Sequence, residues 1–302
     1  MKVLVAGSSG LIGTALCNAL KARGDEVVRL VRRTPRGADE YQWDPTSHSL
    51  DEAILSGVNA VVNLAGAGVG DKRWTPEYKQ MILQSRVDST STLASALAQT
   101  RNKSGAGDSP KVFVAASAIG FYGDTGDSSV TEASPPGSGF LAEVCVAWEA
   151  AATPAQVAGV RVVHPRTGLV MSPNGGALAR MLPIFRAGLG GKLGTGKQWW
   201  SFISLADEIR AICALIDDSR YCGPVNLTAP HPARNSEVTK ALGRLLKRPT
   251  LAAVPAAALR AALGGFSIEV LGSAKVLPSV LEQYGFDFLY PDIDATLRNA
   301  LS

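Results

Sequence analysis

Seven residues near the N-terminus, Gly7-Ser8-Ser9-Gly10-Leu11-Ile12-Gly13, restrict the fold more than any other feature of the chain. They separate an unbroken apolar run, Lys2–Ala6, from a stretch over Leu11–Ala22 whose Ile12, Ala15, Leu16, Ala19 and Leu20 share one helical face. An apolar run that ends in glycine has the form of a parallel strand buried on both sides. Gly7 then permits a tight turn, Gly10 lets the backbone approach a pyrophosphate, and Gly13 lets the helix pack close to the strand. The helix N-terminus presents free N–H groups and a positive dipole end to phosphate. The strand, glycine loop and helix together are the opening of a dinucleotide-binding unit, with Gly7, Ser9, Gly10, Leu11, Ile12 and Gly13 as its expected contacts.

The alternation continues along the chain. Strand signals fall at residues 27–31, 58–64, 112–116 and 160–164, with a short helix around 50–55. Thr75-Pro76 opens a long helix that runs to about Ala98, a threonine cap followed by proline at the first helical position. Residues 101–110 are rich in Ser, Gly and polar side chains and read as a mobile surface loop. A helix around residues 140–152 follows. This order predicts an α/β protein: a Rossmann-type doubly wound parallel sheet with right-handed crossovers and a smaller C-terminal substrate lobe. Beyond about Gly168 the pattern loosens into helices at 175–188, 205–216 and 236–246 and strands at 198–203 and 224–228. A tail of short helices begins at Pro255, broken by Gly264-Gly265, Pro278 and Pro291. The expected division is a nucleotide-binding domain over 1–167, joined by elements from about 198–230, and a smaller lobe over 168–302.

Composition narrows the function classes. Of 302 residues, 46% are apolar and 19% charged, which excludes general disorder. The net charge of +4 comes from scattered Lys and Arg, so nucleic acid is not an expected partner. No apolar run is long enough for a membrane span, and the chain enters a strand at once without a signal-peptide layout. Cys17, Cys145, Cys213 and Cys222 form no C-x-x-C pair and have no His at ligand spacing, so no metal site is expected. Reduced thiols suit a cytoplasmic protein. His48, His164 and His231 are each isolated, which argues against a catalytic histidine.

The G-x-x-G-x-x-G spacing resembles the extended short-chain dehydrogenase/reductase superfamily. Asn63-Leu64-Ala65-Gly66 resembles the element that lines the adenosine ribose there, and Ser117-Ala118-Ile119-Gly120-Phe121-Tyr122-Gly123 resembles its S-S-x-x-x-Y-G segment. Nearly the whole chain is similar to an "epimerase family" of nucleotide-sugar-epimerase-like proteins with a C-terminal domain of unknown function. That similarity rests on Lys72-Arg73-Trp74-Thr75, Ser85-Arg86-Val87, Trp148-Glu149, Gly175-Gly176-Ala177-Leu178, Gly188-Leu189-Gly190-Gly191 and Tyr284-Gly285-Phe286-Asp287-Phe288. The second strand ends Leu30-Val31-Arg32-Arg33, so Val31 stands where NAD-preferring folds place an acid. Arg32 and Arg33 suit a 2′-phosphate by charge and bidentate geometry. The resemblance also implies NADP(H), with Arg32, Asn63, Leu64, Ala65 and Arg86 as contacts, and with Leu169 where family members bring backbone to the nicotinamide amide.

One departure stands out. The superfamily's Tyr-x-x-x-Lys pair sits one turn apart on a helix, the ammonium lowering the phenol pKa so that it can exchange a proton with substrate. Here Phe140 takes the Tyr place and Val144 the Lys place. The family's catalytic Ser or Thr falls at Ala118, next to Ser117. Ser117 and Tyr122 are the candidate catalytic residues, with Glu143 and Glu132 as further proton partners. Each has a plain alternative: Tyr122 as a pocket wall, Ser117 as a cofactor contact, Glu143 and Glu132 as surface charges. On the substrate side, Trp199 and Trp200 offer flat faces or simple lobe packing, and Arg73 could read an anion or remain a solvated loop charge. No nucleotide-diphosphate clamp is visible. Two functions follow: an NADP(H)-dependent oxidoreductase or epimerase-like enzyme acting on a small carbonyl or sugar-like substrate, or a catalytically silent NADP(H)-binding sensor or partner-binding protein. A homodimer through the long helices is expected only by superfamily analogy.

Overall fold

A computed structural model describes residues 1–104 and 109–302. The first half runs β1 (Lys2–Ala6), α1 (Leu11–Ala22), β2 (Glu26–Val31), β3 (Glu40–Gln42), β4 (Ala60–Asn63), α2 (Pro76–Ser104) and β5 (Val112–Ala115). It continues with β6 (Ser117–Ala118), β7 (Ser129–Val130), α3 (Phe140–Ala150), α4 (Thr153–Val157) and β8 (Arg161–Thr167). The second half comprises β9 (Leu169–Met171), α5 (Gly176–Arg186), β10 (Gly191–Leu193), β11 (Trp199–Trp200), β12 (Phe202–Ser204), α6 (Leu205–Asp217) and β13 (Gly223–Leu227). It ends with β14 (Ala233–Arg234), α7 (Asn235–Leu246), β15 (Ala252–Val254), α8 (Ala256–Leu263), α9 (Ser267–Leu271), β16 (Lys275–Val276), α10 (Ser279–Gln283) and α11 (Ile293–Leu301).

The main sheet has the order β13-β8-β5-β4-β1-β2-β3, with β6 also pairing β8. Every pairing in it is parallel. Helices cover both faces, which is why β4 and β5 are buried at every position and read as continuous apolar runs. One face packs Leu16 and Leu20 of α1 with Ile212 and Leu215 of α6. The other packs Leu93 and Leu97 of α2 beneath Leu4, Val61 and Phe113. A separate core under the second half joins Leu178 and Leu182 of α5 to Val238 and Leu242 of α7 and Leu297 of α11. Buried Asp207 ties the tail back, accepting the amides of Leu289 at 3.0 Å and Tyr290 at 2.9 Å.

Some expectations need revision. α2 continues through Ser104, so residues 101–104 of the expected loop are helical, and residues 105–108 lie outside those described. The strand expected over 198–203 is two strands: β11 pairs antiparallel with β14, and β12 pairs parallel with β9. Ser201 between them explains the break, because its hydroxyl donates to Ala274 O at 2.8 Å and accepts from Val276 N at 2.8 Å. No helix among the described residues is long and apolar enough to cross a membrane.

Candidate active site

Strand order reverses between β1 and β4, so the connections leaving their C-terminal ends run to opposite sides and open the crevice where α/β sheets bind ligands. The glycine loop fills the floor of that crevice. Gly7 has φ +78°, and a Cβ there would lie 2.6 Å from the Leu64 carbonyl carbon. A Cβ on Gly13 would lie 2.2 Å from Gly7 O, so only glycine lets α1 start this close to β1. Gly10 differs: its Cβ would meet only Gly7 O, at 3.4 Å, leaving the approach to its backbone open. Gly10 caps α1 without any side-chain hydrogen bond, and the first turn carries no acid. Amide donors and dipole are therefore both available to a phosphate. Ser9 and Gly10 are exposed, and Leu11 and Ile12 half-buried.

The two arginines after β2 separate. Arg33 donates to both oxygens of buried Glu40, each at 2.8 Å, which brings the Glu40 carboxyl down to about 2. Arg33 thus holds β3 against β2, a structural task that the expectation of two arginines for a 2′-phosphate did not include. Arg32 is exposed, has no salt-bridge partner among the described residues, and borders a cavity of about 630 Å³ with Gln42, Trp43 and Asp44.

Across the crevice, Asn63 is wholly buried and acts through the backbone. Its amide donates to Ser89 at 3.2 Å and Thr90 at 2.9 Å, and its oxygen accepts from Ala65 N at 3.1 Å. The 63–66 turn that presents Leu64 and Ala65 is shaped by these bonds. Arg86 donates from α2 to Ala67 O and Ile82 O, both at 2.9 Å, and stacks 4.9 Å from the Trp148 ring centroid. It meets no carboxylate among the described residues, and burial pulls its pKa down, a cost that a nearby phosphate would relieve. Leu169 lies at the far end, but its amide is taken by Ser201 O at 2.9 Å, as that of Gly168 is by Leu227 O at 3.0 Å. Neither N–H is free for a nicotinamide amide.

Beyond the ends of β5, β8 and β13 lies a polar network that the sequence reading saw only in parts. Ser117 donates to Glu149 at 2.6 Å. Glu149 pairs bidentately with Arg166, at 2.8 and 2.9 Å, and Arg166 donates to the Tyr122 hydroxyl at 2.9 Å. The Tyr122 hydroxyl in turn donates to Asn226 Oδ1 at 2.7 Å. Burial alone would raise the Glu149 carboxyl, but Arg166 and Ser117 outweigh it and hold it below its ordinary range. Tyr122 goes the other way: burial raises its phenol, and the Arg166 charge only partly offsets that. A tyrosine that exchanges protons near neutral pH needs the opposite shift and a hydroxyl facing the cleft. In Tyr122 the shift is upward, and the buried hydroxyl is held between Arg166 and Asn226 as a strut between strands. Glu132 is buried and accepts Asn226 N at 3.0 Å and Val280 N at 3.2 Å, whereas Glu143 is an exposed helix charge. Val144 is packed in the core, and Phe140 meets Trp74 edge-on at 5.1 Å. Trp199 donates to Asp127 of the first half and stacks under Arg234, so it packs at the junction of the two halves.

The second half roofs the crevice. Gly175 approaches Leu11 so closely that its Cβ would lie 3.3 Å from the leucine side chain. Arg180 donates to Gly70 O at 2.6 Å and pairs with Asp71 at 3.0 Å, and Arg73 donates to Ala261 O at 3.4 Å. Arg73 is accordingly a clasp between the halves.

A parallel doubly wound sheet, a glycine loop at its switch point and a lobe over the strand ends define an NAD(P)-binding protein of the extended short-chain dehydrogenase/reductase type. Residues 3–227 match the NAD dependent epimerase/dehydratase family and residues 254–300 a domain of unknown function, DUF1731. The chain belongs to that epimerase/dehydratase family. It is similar to an "Epimerase family protein" of Mycobacterium bovis, 46% identical over 99% of this chain and 97% of that protein. It is also similar to the chloroplastic SDR39U1 homolog of Arabidopsis thaliana, 37% identical over 99% of this chain and 86% of that protein. The solved structure of human epimerase family protein SDR39U1 (isoform 2) with NADPH matches with a TM-score of 0.89 and 32% identity, covering 100% of both chains.

Proposed function

We propose that this protein binds NADP(H) and uses it to reduce a small carbonyl compound without a tyrosine acid. Arg32 is the observation that carries the cofactor choice. It follows β2 without a salt bridge among the described residues, beside Val31 in place of an acid, with only Asp44 acting on it at longer range, while Arg33 is engaged by Glu40. NADPH in the human relative supports the same reading. The residues fit the group: the Gly10 backbone and α1 N-terminus for the pyrophosphate, Arg32 for the 2′-phosphate, the 63–66 turn for the ribose. When bound, NADPH supplies a hydride. Ala118 stands where the superfamily has its catalytic Ser or Thr, and the neighbouring Ser117 hydroxyl, held by Glu149, is the candidate that would take part in proton handling. A catalytically silent sensor is the second reading, favoured by Phe140 and Val144 in the Tyr and Lys places.

The test is a titration of NADPH and NADH followed by stopped-flow oxidation of bound NADPH against aldehydes, ketones, keto-sugars and quinones. Tighter NADPH binding and turnover on one class are expected. Equal binding of both nucleotides removes the Arg32 argument; tight binding without turnover moves the assignment to the sensor.

A further inference from the structure

Acidic residues are missing from two long stretches of the chain. Residues 150–206 carry six Lys and Arg and residues 238–268 carry five, and neither stretch contains an Asp or Glu. The fold sets parts of the two side by side in the second half. β10 pairs with β15, placing Gly191 opposite Ala252, and a Cβ on Gly188 would lie 3.9 Å from the Pro249 ring. The turn that follows α5 therefore adjoins the turn that follows α7. Leu251 in one is 95% exposed and Leu189 in the other 69%. Arg186, Lys247 and Arg248 of the same turns are exposed, and their side chains form no hydrogen bond or ion pair among the described residues.

Arg186 and Lys247 close α5 and α7, where cations complement the helix dipole. That accounts for the charges but not for two leucines left in water. A single exposed leucine is ordinary on a protein surface. Two in adjoining turns, flanked by unpaired cations, match a surface that lies in a membrane interface. There the apolar side chains reach the acyl boundary while Lys and Arg stay among the headgroup phosphates. A second copy of the chain docking symmetrically here would set like charges against each other. Leu251, at that exposure, protrudes and offers no groove to a peptide.

We propose that residues 186–190 and 247–251 dock the protein on an anionic lipid surface, with Leu189 and Leu251 entering the interface and Arg186, Lys247 and Arg248 meeting the headgroups. This is independent of the cofactor reading. The test is flotation with vesicles of phosphatidylcholine alone or mixed with equal parts of phosphatidylglycerol, in about 0.1 M salt. Each cation near such a surface contributes roughly fivefold, so the anionic vesicles are expected to bind at least tenfold tighter. That preference should fade near 1 M salt, where the screening length falls to about 3 Å. Leu189→Ser with Leu251→Ser, and separately Lys247→Gln with Arg248→Gln, should each weaken anionic-vesicle binding roughly tenfold while keeping the parent's melting temperature and NADPH affinity. No binding to anionic vesicles, equal binding to both kinds, or binding that either paired variant retains in full overturns the proposal. So does tighter binding to polyglutamate or duplex DNA that ignores the two leucines, which would assign the turns to an acidic macromolecule instead. The lipid and salt dependence of the parent decides the matter even without a substitution.

Discussion

Arg33 donates both terminal nitrogens to Glu40, whereas Arg32 beside it forms no salt bridge among the described residues and feels Asp44 only at longer range. Arg32→Ala is therefore expected to weaken NADPH roughly ten- to a hundredfold with little effect on NADH, since a hydrogen bond to a charged group contributes about 1.5–3 kcal/mol. Arg33→Ala should leave the NADPH/NADH ratio unchanged and lower the melting temperature. The pH dependence has a definite sign. The Glu40 carboxyl is held at about 2 in the folded protein by Arg33 and the Arg36 amide, against an ordinary value of 4.5. Its pairing stabilises the fold above about pH 4.5 and is lost as pH falls toward 2. The melting-temperature gap between parent and Arg33→Ala should close over that window. The glycines divide in the same way. Gly13→Ala forces a Cβ to 2.2 Å from backbone and should destabilise the apoprotein, whereas Gly10→Ala, with 3.4 Å clearance, should fold normally and bind NADPH more weakly. Thermal melts with and without nucleotide distinguish the two.

Elements that carry a residue alternation or an apolar run were legible: β1, α1 and β2 stand within a residue of the reading. Those held only by distant partners were not. β3 is three residues long with Tyr41 and Gln42 exposed, and no periodicity marks it. Without β3 in view, the Arg33–Glu40 pair could not be foreseen. β7 with β16 and β10 with β15 pair segments far apart in sequence, where two or three residues give no local signal. The Tyr122 strut was hidden for the same reason, because Arg166 and Asn226 arrive on β8 and β13. Tyr122→Phe leaves Asn226 Oδ1 without its donor and should cost about 1–3 kcal/mol in denaturant unfolding. The pH profile of any turnover should be unchanged; loss of turnover at unchanged stability would make Tyr122 a proton donor after all. In α6, Glu208 is wholly buried, with one oxygen accepting from Thr167 and the other without a hydrogen-bond partner among the described residues. Burial pushes its carboxyl up to about 8. The unfolded chain ionises above about pH 4.5 while the folded protein keeps its proton to about 8, so stability declines as pH rises through that interval. Glu208→Gln should raise the melting temperature at pH 8 by about 3 °C or more, and by less at pH 5.

At the scale of the whole molecule, the crevice is an assembly of two halves that share the main sheet through β13 and a packed face through α1 and α6, while its rim is closed by a small set of side chains. The nucleotide-binding half was legible from its glycines because loop, strand and helix are contiguous. The roof was not, since Trp74–Phe266, Arg180–Asp71 and Arg73–Ala261 join residues more than a hundred positions apart. Trp74 is central to this junction: it contacts Phe140 and Phe266, donates its indole N–H to Val69 O at 2.7 Å, and lies where a Cβ on Gly265 would come within 3.2 Å. Such a junction can open without unfolding the sheet, because α8 presents no buried residue and the strands of the main sheet are covered on both faces. Trp74→Ala should therefore raise amide exchange in α8 and α9 by tenfold or more, at roughly 1.4 kcal/mol per decade, while β1, β4 and β5 stay protected. Saturating NADPH should protect the amides of residues 7–13 in parent and variant alike, since those contacts lie on the sheet side of the crevice. Uniformly faster exchange across both halves would mean instead that roof and sheet open as one cooperative unit, and that the crevice is preformed rather than closed by its roof.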